Sequence, residues 1–275
     1  MYDLLIIGGG PAGLSAAMTA RNRNLTVCVI CGGAADSALY KAGHVTNYPG
    51  VPDVSGPALL ETMTQQARDL GTDMLRERAL SAMPMGKTFG VSAGKEFVEG
   101  RALLLATGIA QRGTFPGETA FLGRGVSYCA TCDGMLYRGK AVAVLGYTDT
   151  ARKEADFLRG LGCSVTYFNN PRTCEIRGEG QVSSVTCDGE TAEVEGVFIL
   201  RPTAAPGDLF PGLTLENGYV AVDRKMATNL PGLFAAGDCT GGPLQVSKAA
   251  GEGLIAGQSA AAYVADLLRA EKKQG

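Results

Sequence analysis

Two cysteines separated by two residues give the clearest chemical signal in the sequence. Cys129 and Cys132 stand in the segment Cys-Ala-Thr-Cys-Asp. Two thiols at this spacing can close a small disulfide ring, which is redox-active where a helix N-terminus or a base stabilises the thiolate. Asp133 follows the pair directly and is a candidate general acid/base for the dithiol, with helix capping as its alternative role. The pattern predicts a catalytic dithiol.

The same spacing is also half of a zinc site, which needs a second cysteine pair or histidine ligands. The chain has one histidine, His44. Cys28 and Cys31 share the spacing, but they fall on a predicted strand, where alternation would turn their side chains to opposite faces. We therefore favour redox chemistry and predict no metal. The remaining cysteines, among eight in all, are expected to be reduced and mostly buried.

A glycine-rich turn near the start of the chain could bind a dinucleotide. Gly8, Gly10 and Gly13 fit the pattern G-x-G-x-x-G between a predicted strand and a predicted helix. Gly8 permits a tight turn, Gly10 lets a pyrophosphate approach the backbone, and Gly13 lets the helix pack close to the sheet. The N-terminus of that helix favours the phosphate charge.

Two β-α-β units must position these groups. After the second strand of the first unit, the acid that usually holds a ribose is replaced by Cys31 and Gly32. The hydrophobic patterns indicate parallel sheets and an α/β fold. The predicted segments are strands 4–7 and 25–30 around helix 11–21, strands 141–146 and 164–168 around helix 150–161, a helix from Ser55, strands 102–106, 181–187, 197–200 and 233–236, and a final helix from Val246 to about Arg269.

The composition excludes several classes of partner. The 275 residues are 45% hydrophobic and 19% charged, with a net charge of −2, which gives no case for nucleic acid or an anionic membrane. No apolar run reaches the ~18 residues that a membrane span requires. No secretory leader precedes the first strand, so we expect a cytoplasmic protein.

The segment from Cys129 to Gly134, placed between two dinucleotide-type units, resembles the low-molecular-weight thioredoxin reductases, and the resemblance covers nearly the whole chain. The resemblance implies two Rossmann-like domains, the second inserted in the first. Residues 1–113 and 205–275 would bind FAD, and residues 114–204 would carry the dithiol beside a degenerate NADPH-type site. The segments that resemble the family are Asn47-Tyr48-Pro49-Gly50, Ala106-Thr107-Gly108, Gly237-Asp238 and Gln245-Val246.

The resemblance also implies roles for individual residues. Cys129, Cys132 and Asp133 would be catalytic, with Cys132 nearest the flavin and the thiol that attacks the substrate left open. The protein would be a homodimer that reduces a thioredoxin-like protein as its two domains rotate. The residues implied to bind FAD are Gly8, Gly10, Pro11, Ala12, Gly13, Asn47, Ala106, Thr107, Gly108, Gly237, Asp238, Gln245 and Val246.

The central domain departs from the family's NADPH-binding pattern. Thr148 replaces the second glycine of its G-x-G-x-x-A turn, and Asp149 adds a negative charge there. A lone Arg172 stands where the family has a basic cluster for the 2′-phosphate. The domain is also short compared with a standard family member, and a helix and a strand after Arg172 are expected to be missing from it. These departures predict that NADPH binding is weak or absent.

The electron donor is therefore expected to be a molecule other than NADPH. The chain resembles the pyridine-nucleotide-independent branch of the family, in which reduced ferredoxin feeds the flavin, and Asp36-Ser37-Ala38 and Lys248 also indicate a divergent branch. Two alternatives remain open: an NADPH-dependent reductase with unusual contacts, and an FAD-dependent dithiol oxidase that uses oxygen. A non-enzymatic FAD-binding module is disfavoured by the intact cysteine pair and Asp133.

Overall fold

The computed structural model describes residues 1–108, 115–128, 130–148, 151–201 and 206–274, and only the backbone at residues 35, 131, 132, 208 and 274. The chain divides into two compact units. The first unit, Met1–Ala110 with Thr203–Gly275, is discontinuous; the inserted unit is Gln111–Pro202. The predicted domain limits, 113/114 and 204/205, differ from these by two or three residues. The functional labels of the two domains remain predictions.

The described elements follow one another in chain order. Those before the inserted unit are β1 (Tyr2–Ile7), α1 (Pro11–Arg21), β2 (Val27–Ile30), α2 (Gly56–Asp69), β3 (Asp73–Leu75), β4 (Ala79–Met85), β5 (Thr88–Ala93) and β6 (Glu96–Leu105). Those of the inserted unit are β7 (Val126–Ser127), α3 (Ala130–Asp133), β8 (Ala141–Gly146), α4 (Ala151–Gly160), β9 (Ser164–Asn169), β10 (Cys174–Glu179), β11 (Gln181–Cys187), β12 (Glu190–Glu193) and β13 (Gly196–Leu200). The chain then continues with α5 (Pro206–Leu209), β14 (Leu215–Glu216), β15 (Tyr219–Val220), β16 (Leu233–Ala235) and α6 (Val246–Gln274).

The first unit is built on a seven-stranded sheet in the order β3-β2-β1-β6-β5-β4, with β16 also paired to β6. The pairs β1–β2, β1–β6, β2–β3 and β6–β16 are parallel, whereas β4, β5 and β6 are antiparallel. Strand alternation sends Leu4 and Ile6 to one face and Leu5 and Ile7 to the other, and both faces are buried. The sheet is therefore covered on two sides, as parallel strands require.

Helices α1 and α6 cover one face of this sheet, and small residues let them cross closely. A Cβ on Gly253 would collide with the carbonyl oxygen of Ala12, and one on Gly257 would lie 2.7 Å from that of Ala16. Helix α2 begins as predicted, because Ser55 Oγ accepts a hydrogen bond from the Ala58 N–H at 3.3 Å. No helix among the described residues combines the length and apolar character that a membrane span needs.

The inserted unit has a parallel sheet, β7-β13-β8-β9, and a three-stranded antiparallel sheet, β10-β11-β12. Val142, Val144 and Phe198 pack toward α4, while Ala143 and Val197 pack toward the antiparallel strands. Strand β10 begins two residues after Arg172, where no strand was predicted, whereas the predicted strands 181–187 and 197–200 are present as β11 and β13. The short polar run Cys174–Glu179 carries no alternating apolar pattern strong enough to reveal it.

Two cysteines in these strands correct a second expectation. Cys174 and Cys187 are directly opposed on β10 and β11 and form a disulfide. Both were expected to be reduced, because the eight cysteines were not expected to form stabilising bridges. The two cysteines are 13 residues apart, and their pairing depends on the register of β10 against β11, which cysteine spacing alone does not reveal. Cys28, Cys163 and Cys239 are free and buried.

Candidate functional site

The glycine turn after β1 is shaped for close approach of the backbone. Gly8 has a φ of +119°, and a Cβ there would collide with the carbonyl oxygen of Ala106. A Cβ on Gly13 would collide with the carbonyl oxygen of Gly8. The N-cap of α1 is Gly10, which offers no side-chain cap, and the first turn of α1 has no acidic residue. The N–H groups of that turn are therefore available to an anionic ligand.

Three parallel strands end beside this turn. The Ala106 N–H donates to Ile7 O at 2.8 Å, and the Ala236 N–H donates to Leu105 O at 2.9 Å. Gly237, with a φ of +86°, lies so close to α1 that an added Cβ would be 2.8 Å from that of Ala12. The segments 8–13, 106–108 and 237–238, predicted to bind the cofactor, are thus brought together at the carboxyl edge of one sheet. Ligands of open α/β sheets bind at this edge.

Asp238 opens a short 3₁₀ turn, Asp238–Thr240, directly after Gly237. Burial raises the pKa of its carboxyl group, the charge of Lys248 lowers it, and the charge of Glu252 raises it. None of the hydrogen bonds among the described residues ends on this carboxylate. Its oxygens can therefore accept hydroxyl groups of a ligand. The neighbouring Cys239 is buried, and burial raises its thiol pKa to about 11, which makes it a core residue rather than a nucleophile.

Lys248 on α6 donates three hydrogen bonds to the residues around the Asp238–Thr240 turn. Its Nζ donates to Gly237 O at 2.8 Å, to Thr240 Oγ1 at 2.9 Å and to Gly241 O at 2.6 Å. Glu252 lies one helical turn further on, with Oε2 3.1 Å from Lys248 Nζ. The sequence indicated Lys248 only as a departure from the family. Its i, i+4 spacing from Glu252 is the local sequence signal for this ion pair.

Asn47 and Gln245 meet although they are far apart in sequence. Asn47 Nδ2 donates to Gln245 Oε1 at 2.6 Å, and Tyr48 and Val246 belong to one apolar cluster. Both predicted cofactor-binding segments therefore lie together at the start of α6. His44 is 78% exposed and its Nδ1 lies 2.9 Å from Asp53 Oδ1, which places it on the surface rather than in a catalytic cleft.

In the inserted unit, the second cysteine of the predicted dithiol belongs to a one-turn helix. Cys132 is part of α3, Ala130–Asp133, while Cys129 lies outside the described residues. Asp133 Oδ2 accepts a hydrogen bond from Ser127 Oγ at 2.7 Å and makes no side-chain cap for the following 3₁₀ turn. The geometry of Asp133 therefore does not support the capping role. Its role as a general acid/base stays a prediction. Among the described residues, no group of three or more potential ligands is arranged to hold a metal ion.

The carboxyl edge of the inserted parallel sheet is filled by its own side chains. Arg201 follows β13 directly, and its Nη1 and Nη2 donate to Glu118 Oε1 and Oε2 at 2.6 and 2.8 Å. The Arg201 guanidinium lies 5.3 Å from the Phe115 ring centroid and 5.9 Å from that of Tyr147. Tyr128 Oη also donates to Glu118, at 3.0 Å. We call Phe115, Glu118, Tyr128, Tyr147 and Arg201 the Arg201 cluster.

The electrostatics of the Arg201 cluster are internally balanced. Burial alone would raise the pKa of Glu118, but hydrogen bonds from Arg201 and the Phe115 N–H hold it below its usual value. Burial raises the pKa of Tyr147 to about 12. The cluster was missed in the sequence because Arg201 is 83 residues from its partner Glu118 and the residues carry no local pattern.

The nucleotide-type turn after β8 is occupied in the same way. A Cβ on Gly146 would collide with the hydroxyl of Tyr167, and Tyr147 Oη donates to Pro171 O at 2.9 Å. Arg172, the lone basic residue after β9, is exposed, and its backbone N–H donates to Asp188. Thr148 is described, but Asp149 lies outside the described residues.

Comparison with known proteins gives consistent matches. Residues 2–175 and 168–253 match the family described as pyridine nucleotide-disulphide oxidoreductase. A thioredoxin reductase of Listeria innocua is 35% identical, with 98% of this chain and 96% of that protein covered. A ferredoxin-flavin thioredoxin reductase of Clostridium acetobutylicum is 37% identical, covers 97% of this chain and 98% of its own, and has a TM-score of 0.87. A thioredoxin reductase of Gloeobacter violaceus is 32% identical, covers 96% and 94%, and has a TM-score of 0.83.

Proposed function

Since the chain belongs to the pyridine nucleotide-disulphide oxidoreductase family and is a homologue of thioredoxin reductases, we propose that it is an FAD-dependent reductase of thioredoxin or a thioredoxin-like protein. Electrons would pass from FAD to the Cys129–Cys132 disulfide, with reduced ferredoxin as donor. The observation that carries the proposal is the cysteine pair with Asp133, in a chain 37% identical over 97% of its length to a ferredoxin-flavin thioredoxin reductase.

The residues of the first unit fit a dinucleotide cofactor. Gly10 leaves the backbone open where a pyrophosphate would lie, Gly8 and Gly13 allow close backbone packing in the turn, and the α1 N-terminus has no side-chain cap. The Asp238 carboxylate is half-buried and can accept ribityl hydroxyls. When bound, FAD supplies two-electron reduction of the disulfide. The cofactor-binding set given by the family resemblance is proposed on these grounds.

The chemistry of the inserted unit balances without a metal. The Cys129–Cys132 disulfide takes up two electrons and two protons to give two thiols. One thiolate then attacks the disulfide of the substrate protein to form a mixed disulfide, and the second thiol displaces the reduced substrate and restores the intramolecular bridge. Asp133, fixed by Ser127 at 2.7 Å, is the group we propose to hold and move a proton at this pair.

The choice of ferredoxin over NADPH is supported by the Arg201 cluster. A nicotinamide dinucleotide would need the carboxyl edge of β8 and β13, and Tyr147 and Arg201 occupy the positions that directly follow these strands. Arg201 is already paired with Glu118 and is not available to a phosphate. The neighbouring loop offers one exposed arginine, Arg172, rather than a basic cluster.

An anaerobic titration tests the donor. The purified flavoprotein is mixed with reduced ferredoxin or with NADPH, and the flavin absorbance is followed. We expect bleaching by ferredoxin and no comparable bleaching by NADPH; rapid bleaching by NADPH would exclude this part of the proposal. Oxygen consumption with a small dithiol substrate separates the reductase from the dithiol oxidase, because only the oxidase turns over in that assay.

Two further features belong to the same proposal. We propose a homodimer, as the family resemblance implies, and a cytoplasmic location. Sedimentation equilibrium of the flavin-loaded protein is expected to give twice the chain mass of 28.4 kDa. A monomer at micromolar concentration would contradict the dimer without affecting the redox chemistry.

A further inference from the structure

Lys248 has a set of contacts that the proposed function does not use. Its ammonium group meets two backbone carbonyl oxygens and one hydroxyl of the Gly237–Gly241 turn, all within 2.9 Å, and the Glu252 carboxylate at 3.1 Å. An ammonium group has three N–H donors, so the two carbonyl oxygens and the hydroxyl use its full hydrogen-bonding capacity. The side chains of Lys248 and Glu252 are 15% and 20% exposed, which strengthens the interaction relative to a surface pair.

Glu252 completes the connection between the turn and α6. Its Oε2 accepts hydrogen bonds from the Gly237 N–H and from Thr240 Oγ1, each at 2.8 Å. Thr240 Oγ1 also lies 2.7 Å from Gly237 O. The turn that presents Asp238 is therefore fixed at Gly237, Thr240 and Gly241 by two side chains of opposite charge.

We infer that Lys248 is a positioning residue, which fixes the Gly237–Gly241 turn and balances the negative charges of Asp238 and Glu252 for flavin binding. This inference deepens the proposed function and rests on it. Without the ammonium group, two turn carbonyls lose a charged donor, and the negative charges of Asp238 and Glu252 lose the cation that offsets them. Both losses act on the turn that presents Asp238 rather than on the cysteine pair.

The charges around Asp238 give the inference a signature that depends on pH. Lys248 and Glu252 face it from α6, while Tyr219 of β15 lies against Gly241 and Cys239 is buried beside it. Burial raises the pKa of Asp238, Lys248 lowers it and Glu252 raises it. Removing Lys248 should therefore raise this pKa further, and neutralising Glu252 should lower it. An ionised carboxylate accepts hydrogen bonds with both oxygens, so flavin affinity should follow the ionised fraction.

The test measures the Kd for FAD against pH in Lys248→Met, Glu252→Gln and the double variant, by recovery of flavin fluorescence. Near pH 6 we expect Lys248→Met to weaken binding by about tenfold or more. The loss of affinity on acidification should begin at a higher pH in Lys248→Met, at a lower pH in Glu252→Gln, and between these in the double variant. Lys248→Arg should recover most of the affinity, and Lys272→Met, at the exposed end of α6, is the matched control.

The opposite signs separate charge balance from simple damage to the fold, since damage would weaken binding in every variant. A ¹³C titration of the Asp238 carboxyl in flavin-free protein, assigned with Asp238→Asn, reads the same shift without a cofactor. Profiles that move in the same direction in both single variants, or that stay with the wild type, would overturn the role of Lys248. A wild-type chain that binds no FAD would instead overturn the proposed function, and the ¹³C titration would still decide whether Lys248 acts on Asp238.

Discussion

The two units carry parallel sheets whose carboxyl edges have opposite character. In the first unit, Gly10 leaves the backbone open at that edge, Gly8 and Gly13 allow close backbone packing in the turn, and the α1 N-terminus has no side-chain cap. In the inserted unit, Tyr147 and Arg201 stand directly after β8 and β13, and Arg201 is paired with the buried Glu118. One edge is built to receive an anionic ligand, and the other satisfies its polar groups internally.

This difference shows that a β-α-β unit does not by itself specify a ligand. Both edges have strands that end in the same direction and a following helix, as the fold requires. What differs is the side-chain volume and charge at the strand ends. In the inserted unit, Tyr147 and the ion-paired Arg201 at the strand ends contribute to stability. In the first unit, the glycines after β1 contribute to binding. Substitutions at the two edges should therefore affect different measurements.

The largest expected effect is on turnover. Cys132→Ser should reduce ferredoxin-dependent reduction of thioredoxin to below detection, because the intramolecular disulfide can no longer form. Flavin content per chain should stay at the wild-type level, because the cofactor-binding set belongs to the first unit. Substantial turnover in this variant would contradict the proposed chemistry, and loss of flavin would contradict the division of roles between the units.

Arg201→Met should give the largest loss of stability. The side chains of Arg201 and Glu118 are 13% and 2% exposed, so removing the cation leaves a buried carboxylate without a counter-charge. We expect the free energy of unfolding to fall by about 3 kcal/mol or more in chemical denaturation. Glu118→Gln combined with Arg201→Met should recover part of this loss. Arg177→Met, at the exposed Arg177–Glu175 pair, should have little effect.

Acid should weaken the Glu118–Arg201 pair only at low pH, because the pKa of Glu118 is lowered in the folded protein. The folded-state pKa of Glu118 is lowered, so its contribution is present above the unfolded pKa of ~4.3 and is lost as the pH falls through the folded value. Denaturation curves between pH 7 and pH 3 should show a loss of stability in the wild type that is smaller in the double variant. Equal slopes would contradict this assignment.

The Cys174–Cys187 bridge should contribute about 2–4 kcal/mol, because it closes a loop of 13 residues in the unfolded chain. The comparison is best made with both cysteines of the 129/132 pair replaced by serine, so that only one disulfide responds to reductant. In that background, dithiothreitol should lower the denaturation midpoint, and replacing both Cys174 and Cys187 by serine should remove the response. No effect of reductant would show that the bridge is absent in solution.

Gly13→Ala should have the smallest effect on stability and a clear effect on binding. The added Cβ would collide with the carbonyl oxygen of Gly8, which should cost about 1–3 kcal/mol and displace the turn from its binding shape. Flavin content after purification is the main measurement. Gly43→Ala is the control, because a Cβ there would have no neighbour within 4 Å. Equal flavin content in the two variants would argue against the glycine turn as the cofactor site.

Much of the first unit could be predicted from local sequence. The turn at Gly8–Gly13 and helix α1 follow from short-range patterns, and the predicted and observed limits of α1 agree at Pro11 and Arg21. The cap at Ser55 is equally local, and the observed start of α2 at Gly56 confirms it. Local patterns succeed here because glycine turns and helix caps depend on residues within four positions of each other.

The features that were missed depend on pairings between distant residues. Strands β4 and β5, residues 79–93, gave no recognised pattern, and β10 was not expected. The disulfide Cys174–Cys187 and the pair Glu118–Arg201 need a strand register and a tertiary fold before their members meet. Likewise, Lys248 could be noticed as unusual, but its contacts with Gly237 and Gly241 required the turn to be in place.

The pairing of α1 with α6 and of β6 with β16 has a consequence for synthesis of the chain. Both pairings join residues before position 106 to residues after position 232, so the first unit lacks β16 and α6 until residues 233–274 have been synthesised. The inserted unit is complete once residue 202 has left the ribosome. During synthesis the nascent chain therefore presents the open face of α1 while the inserted unit can already fold, and this exposed surface is the one that a chaperone would need to cover.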